Sequence, residues 1–411
     1  MKERCPEIIT LPSGIRIVFL KSNSAVGHIA FYFKGGSRSE PMEKMGLAHY
    51  LEHCIFKGTK NHGPMWILSR LDEVGGELNA FTAKEEICVH ATFLQKYTKR
   101  TFELISDLVM NSIFPLEEIE KEKEVIIDEI NSYKDSPVDR LMDDFDALLF
   151  AGSTLGAPIL GTKKTVREFK QADLLDFMHS NFSADNLVIS YVGNESKHQL
   201  VHLANRFLSE LPPKANNVQF EAPVKAPPFQ LRKKESNHQS HAILGAYAPS
   251  FRDDDRLMMT LLINYLGGPA MNARLNLVIR EKYGLAYHVE ANYTVLEDSG
   301  YWAILLSAEQ KNMDQSIELA KKELFKLSSQ GLSKAQLQKL KVQFLGQLSI
   351  SSESNNARCM ANGKTLLVYD RIDTLSETFD KIQAVTLEEI NAVATKYFTP
   401  ENVCELVYDK K

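Results

Sequence analysis

The pattern of apolar and polar positions reads strand, strand, helix, strand, strand, helix, and then returns in the second half of the chain. Residues 14–20 and 28–33 are β-rich runs around a polar turn. Residues 46–56 follow with apolar positions at helical spacing. Residues 77–82 and 87–94 predict a strand pair joined by the polar turn 84–86. Residues 101–110 predict an amphipathic helix, and 116–133 a longer charged helix that ends before Pro137. In the second half, 242–248 predicts a strand and 256–266 and 272–281 predict helices. Another strand pair, 287–295 with 301–308, precedes a helix over 313–327.

Between the two series, Pro212, Pro213, Pro223, Pro227 and Pro228 fall within a stretch of mixed polarity and predict a linker. The expected organisation is therefore a first domain over 1–211, a linker over 212–234 and a second domain over 235–411. Residue-level similarity between the halves is weak, so the duplication rests on the order of elements. That order favours an α+β class over a doubly wound parallel sheet. The expected architecture is two homologous α/β-sandwich-like domains, each a mainly antiparallel sheet packed with helices.

Composition changes this picture little. At 411 residues the chain is too long for one ordinary core, and 44% hydrophobic with 25% charged residues suits a globular protein. A net charge of −5 without an arginine- or lysine-rich stripe excludes a nucleic-acid partner. No run approaches the roughly 20 apolar residues that span a bilayer, so no membrane association is expected. The opening residues lack an apolar core followed by a small-residue cleavage site, which speaks against a secretory signal. The five cysteines are widely spaced and form no CxxC pair. Reduced thiols in a cytoplasmic protein are the expectation.

The chemistry lies in Gly46-Leu-Ala-His49-Tyr-Leu-Glu52-His53-Cys54. Positions i, i+3 and i+4 share a helix face, so His49, Glu52 and His53 project together. Two imidazoles one turn apart can chelate one zinc ion, and a catalytic zinc site uses three protein ligands. Glu52 stands beside them and can take a proton from water that the ion has acidified. An HxxEH pentapeptide arises by chance in roughly a few per cent of chains this size, so context must support it. The alternative is a helix with two surface histidines and a salt-bridging glutamate. A third ligand must come from elsewhere, and the helix over 116–133 offers several acids. Glu120 and Glu124 read as a solvated face. Glu129 follows the apolar run 125–127 and is expected to point inward, and Glu122 lies one heptad earlier on the same face. A carboxylate there could orient a histidine ligand. Cys54, one position past His53, points away from the ligand face and is expected to be a small buried residue.

With these residues in view, the chain resembles the pitrilysin family of inverzincin metallopeptidases, and within it the shorter, two-domain members: bacterial processing proteases and the mitochondrial processing peptidase β subunit. The resemblance spans nearly the whole chain. It includes Phe56-Lys-Gly-Thr59, Gly75-Gly76, Asn79-Ala80-Phe81-Thr82, and a glutamate 76 positions after the second histidine, here Glu129. It continues through Leu155-Gly-Ala-Pro-Ile-Leu-Gly161, Asn181-Phe-Ser-Ala-Asp-Asn-Leu187, Gly267-Gly268 and Arg280-Glu-Lys-Tyr-Gly-Leu-Ala-Tyr287. The loop after Gly268, Pro269-Ala-Met-Asn272, is less glycine-rich than in many relatives.

What the resemblance implies is specific. His49, His53 and Glu129 would hold Zn2+, Glu122 would support them, and Glu52 would be the general base. Arg280 and Tyr287, from the C-terminal domain, would donate hydrogen bonds to the substrate carbonyl and its oxyanion. Asn79, Ala80, Phe81 and Thr82 would form the edge to which an extended peptide adds, so the substrate must be unfolded or flexible. Read without the resemblance, Arg280 is a surface helix residue, Tyr287 a strand tyrosine and 79–82 an ordinary strand. The implied activity is a zinc-dependent endopeptidase acting as a homodimer or paired with a related subunit. The rivals are a non-catalytic partner or scaffold of the same family and a small-molecule metallohydrolase.

Overall fold

The computed structural model describes residues 5–214 and 220–411. The first four residues, part of the opening segment read above, and 215–219 of the expected linker lie outside the described residues. The β-rich runs form strands β1 (Glu7–Thr10), β2 (Arg16–Lys21), β3 (Val26–Lys34), β4 (Glu77–Thr82), β5 (Glu86–Leu94) and β6 (Leu187–Gly193). In the second half they form β7 (Gln230–Glu235), β8 (Ser240–Tyr247), β9 (Ala286–Val295), β10 (Gly300–Ala308) and β11 (Cys404–Lys410).

Two sheets result, ordered β1-β2-β6-β3-β5-β4 and β7-β11-β8-β10-β9. Leaving β1 aside, the two orders are the same when strands are counted from the start of each half. The parallel pairs also correspond, β2 with β6 and β7 with β11, and the other pairings are antiparallel. The duplication that the order of elements implied is thus present in the topology. The fold is α+β, two sheets packed with helices.

Two compact units contain these sheets, and neither is continuous in sequence. One comprises Met1–Asn131, Ala157–Glu221 and Ile350–Thr374, the other Ser132–Gly156, Ala222–Ser349 and Leu375–Lys411. In the first unit, one sheet face packs on helices that include Leu47–Cys54, Thr98–Asn111 and Leu116–Asp135, burying Phe31, Phe33, Leu51 and Phe102. Its other face receives helix Asn355–Tyr369, which buries Cys359, Leu366 and Leu367 against Val18, Ala30 and Val188. Gly363 permits that approach, because a Cβ there would lie 2.5 Å from the Tyr32 ring.

The second unit repeats the arrangement. Helices Arg256–Gly267, Gln310–Gln330 and Leu387–Tyr397 cover one face around Trp302 and Leu306. Helix Pro137–Leu149 covers the other, its Leu141, Phe145 and Leu149 recurring every four residues on one buried stripe. Each sheet therefore takes the helix on its second face from the opposite half of the sequence.

Two local expectations need correction. Residues 230–234 of the expected linker are not linker but most of β7, paired in parallel with β11. The last linker proline is Pro228, and the Gln-Leu-Arg-Lys-Lys-Glu run beyond it is a charged, exposed edge strand with no buried stripe to announce it. The helix expected over 272–281 is a π-helical segment at Asn276–Lys282, in which Val278 and Ile279 are buried and Arg280 is exposed.

Candidate metal centre

The HxxEH helix, Leu47–Cys54, is only eight residues long, and its buried face carries Leu47, Ala48, Tyr50, Leu51 and Cys54. Packing rather than length holds it, since so short a helix is marginal alone. The Tyr50 hydroxyl donates to the Ile119 carbonyl at 2.5 Å and so ties this helix to Leu116–Asp135, which carries Glu122 and Glu129. Cys54 is fully buried, as expected, and burial pushes its thiol up to about 12.

His49 Nε2 lies 3.6 Å and His53 Nε2 3.5 Å from the same oxygen, Oε2 of Glu129. One donor atom from each of the three residues lies within 4.8 Å of the others. These contacts are too long for hydrogen bonds, and Glu129 Oε2 is a buried oxygen without a hydrogen-bond partner. Tetrahedral zinc with bonds of about 2.0–2.1 Å sets its ligand atoms about 3.3 Å apart, close to the spacing seen. Two nitrogens and a carboxylate oxygen, converging without bonding one another, fit that ion.

The surroundings prepare each donor differently. Burial, then the neighbouring His53, holds His49 down to about 4, so its imidazole is neutral. His53 is also half-buried, which lowers it, but the Glu122 hydrogen bond and the charges of Glu129 and Glu52 raise it overall. His53 Nδ1 lies 3.0 Å from Glu122 Oε1, and Lys57 Nζ lies 2.7 Å from the other Glu122 oxygen. Glu122 is buried, which raises its carboxyl, yet its bonds to His53 and Lys57 bring it below the usual range. An ionised carboxylate only accepts, so Nδ1 carries a proton, and in the neutral imidazole that a metal ion would bind, Nε2 is the nitrogen left free.

Glu52 stands on the same helix face. Burial raises its carboxyl, against the Thr82 hydroxyl and backbone amide and the charge of His53, which favour ionisation. Thr82 closes β4, which is the terminal strand of its sheet. The Ala83 amide donates to Glu86 across the hairpin, so by alternation Phe81 and Asn79 also face β5. The backbone groups of Thr82 and Ala80 then point to the open side. Thr82 faces the HxxEH helix, its hydroxyl 3.4 Å from the Ala48 carbonyl, and Ala80 presents the next pair of outward N–H and C=O groups.

The structure brings His49, His53, Glu129, Glu122, Glu52 and Thr82 together within the first unit. Glu120 and Glu124 are exposed. Val125, counted above in the inward run, is also exposed, and the buried face of this helix is set by Ile119, Ile126, Ile127 and Ile130. Arg280 and Tyr287 belong to the second unit. Tyr287 is the unpaired residue of a β-bulge, because Ser307 pairs with His288 while Ala308 pairs with Ala286. Tyr287 is 61% exposed and its hydroxyl lies 3.3 Å from Glu309, so both residues present donors at the surface of that unit on irregular backbone. Sequence reasoning assigned no role to Lys57, Tyr50 or Thr82 towards individual site atoms. Only Lys57 and Thr82 carried a signal, inside Phe56-Lys-Gly-Thr59 and Asn79-Ala-Phe-Thr82.

Residues 16–163 match the family profile described as Insulinase (Peptidase family M16), and 168–344 match Peptidase M16 inactive domain. A protein of Bacillus subtilis described as an uncharacterized zinc protease, YmxG, is 33% identical over 97% of both chains. The chain belongs to peptidase family M16. An uncharacterized zinc protease of Mycobacterium tuberculosis is 30% identical over 95% of this chain and 90% of its own length. Among solved structures, a peptidase M16 inactive domain from Pseudomonas fluorescens superposes with a TM-score of 0.92 at 18% identity, over 99% of this chain and 98% of that one. A protease from Helicobacter pylori does so with a TM-score of 0.88 at 20% identity, over 99% and 100%. All five residues of the candidate centre, His49, Glu52, His53, Glu122 and Glu129, lie inside the Insulinase match rather than the inactive-domain match. Among the described residues no helix is long and apolar enough to cross a membrane.

Proposed function

We propose that this M16 protein is a zinc-dependent endopeptidase that cleaves unfolded or flexible peptides, with His49, His53 and Glu129 holding the ion and Glu52 as general base. The convergence of two imidazole nitrogens on a buried, otherwise unpartnered Glu129 oxygen carries this reading. When bound, zinc supplies a Lewis acid that acidifies water and polarises a carbonyl. Glu122 holds the His53 proton on Nδ1, keeping Nε2 free as a donor to the ion. Glu52, made more basic by burial, accepts the proton of the attacking water and returns it to the leaving amine. The open edge at Ala80 pairs with the substrate backbone, which selects extended chains with little demand on sequence. Arg280 and Tyr287 are the hydrogen-bond donors for the substrate carbonyl and its oxyanion. The protein works in the cytoplasm as a processing peptidase, in a homodimer or paired with a related subunit.

The test is cleavage of a quenched, unstructured peptide by the purified protein and by Glu52→Gln. Activity in the wild type that is lost in the variant, with fold and bound zinc intact, is the expected result. Equal cleavage by both proteins would refute Glu52 as the base. The match of 168–344 to an inactive domain favours one rival, a non-catalytic partner subunit. That rival predicts turnover of neither an unfolded peptide, a folded protein nor a small ester. A small-molecule hydrolase would turn over the ester alone.

A further inference from the structure

The helix that carries His49, Glu52 and His53 begins without a capping side chain. Its N-cap is Gly46, left-handed at φ 96°, and no side-chain cap hydrogen bond is made there. A residue with a Cβ does not fit, because that atom would lie 2.7 Å from the Leu160 carbonyl oxygen and 2.8 Å from Gly161 Cα. The usual Ser, Thr, Asp or Asn at this position is therefore excluded, and the first-turn amides need another acceptor. Glu40 provides it from outside the helix. Its side chain is buried, with Oε2 accepting the Gly46 amide at 2.7 Å and Oε1 accepting the Ala48 amide at 2.6 Å. Both oxygens are thus occupied by backbone N–H groups in the turn that leads into His49. Burial pushes the Glu40 carboxyl up to about 8, against the Ala48 and Gly46 amides, which together with the positive end of the helix dipole favour its ionised form.

We infer that Glu40 is a positioning residue for the metal centre: its carboxylate clamps the Gly46 and Ala48 amides and so sets where the helix begins and where His49 is presented. The assignment rests on the zinc reading above. In a helix of two turns there is no remote segment to absorb an error at the start. A shift of the first turn moves His49 directly, whereas His53 is separately held by Glu122. Loss of the clamp therefore degrades the match between the two imidazoles and Glu129, and the ion feels it before the peptide does. Glutamine cannot replace it, because its amide NH2 would face one of the two N–H donors.

The experiment is a zinc titration of the full chain by chelator competition, for wild type, Glu40→Gln, Glu40→Ala and Glu86→Gln, with circular dichroism on each. Glu86 is another buried acid of the same unit, ion-paired to Lys364, and reports on general destabilisation. Glu40→Gln, folded, is expected to bind zinc at least tenfold more weakly, while Glu86→Gln binds within threefold of wild type. In the peptide assay Glu40→Gln reloaded with saturating zinc should lose kcat with KM little changed. Should Glu40→Ala fail to fold, Glu40→Gln decides the matter. Folded Glu40→Gln with wild-type zinc affinity would overturn the assignment and leave the zinc reading standing. A weakening shared equally by Glu86→Gln would overturn it too, as a mere stability effect. Wild type that binds no zinc would overturn both.

Discussion

Glu122→Ala tests how far the metal centre depends on a carboxylate that does not itself face the Glu129 oxygen. The substitution removes the 3.0 Å acceptor of His53 Nδ1 and the 2.7 Å partner of Lys57. Without the acceptor, the His53 ring can rotate and can carry its proton on Nε2, the atom that should point to the ion. Removing such an orienting partner weakens metal binding about 10- to 100-fold, or about 1.4–2.8 kcal/mol. Leaving Lys57 unpaired adds a cost in fold stability of about 1–2 kcal/mol, less than the usual penalty for a broken buried pair because Lys57 is partly exposed. Glu122→Gln keeps an oxygen for Nδ1 and should fall at the lower end, near tenfold. The assay is chelator competition at neutral pH, with thermal unfolding of the metal-free proteins measured separately. Folded Glu122→Ala with wild-type zinc affinity would refute the reasoning, because orientation through Glu122 would then be irrelevant.

Gly46→Ala forces a Cβ against the Leu160 and Gly161 backbone at a left-handed φ, and should cost at least about 2 kcal/mol in unfolding free energy. Unchanged unfolding in urea would show that the helix start tolerates a side chain. Phe145→Ala empties the stripe that helix Pro137–Leu149 lays on the second sheet, and should cost about 3–5 kcal/mol by the same measurement. A loss under 1 kcal/mol would mean that this helix is not integral to its unit. Asp409 accepts both Arg232 Nε at 2.9 Å and Nη2 at 2.8 Å, and that contact holds its carboxyl below the usual range. With the folded pKa depressed, its contribution is complete above the ordinary aspartate value and is lost as pH falls through the folded value. The stability gap between wild type and Asp409→Asn, about 1 kcal/mol or less for a partly exposed pair, should therefore shrink on acidification below about pH 4. A gap that widens towards low pH would reverse the assignment.

Much of the site was legible before the fold because helix geometry is local. Positions 49, 52 and 53 share a face whatever surrounds them, and Glu122 and Glu129 share one because they stand seven residues apart. The apolar run 125–127 was a looser guide, since Val125 proved exposed. β4 was legible as a strand at Glu77–Thr82, paired with β5 across a short turn, but its place at the sheet edge came only through the resemblance, because strand order depends on the distant β3 taking the other side of β5. β7 was hidden for the opposite reason: an exposed edge strand carries charges and no alternation.

By itself the sequence placed His49, Glu52 and His53 on one helix face and determined the α+β class and the repeated order of elements, all of which follow from side-chain periodicity and residue chemistry within short windows. Only the tertiary structure decided which helix covers which sheet face. Nothing local in 137–149 or 355–369 marks them as packing on the sheet formed mainly by the opposite half of the chain, because that choice depends on complementary surfaces such as Phe145 over Gly245 and Gly363 over Tyr32. Tertiary structure alone also brought Glu40 under the start of the HxxEH helix and Thr82 against Glu52. A loop carboxylate finds its backbone partners only when the chain has closed around it, and burial then makes those few hydrogen bonds matter.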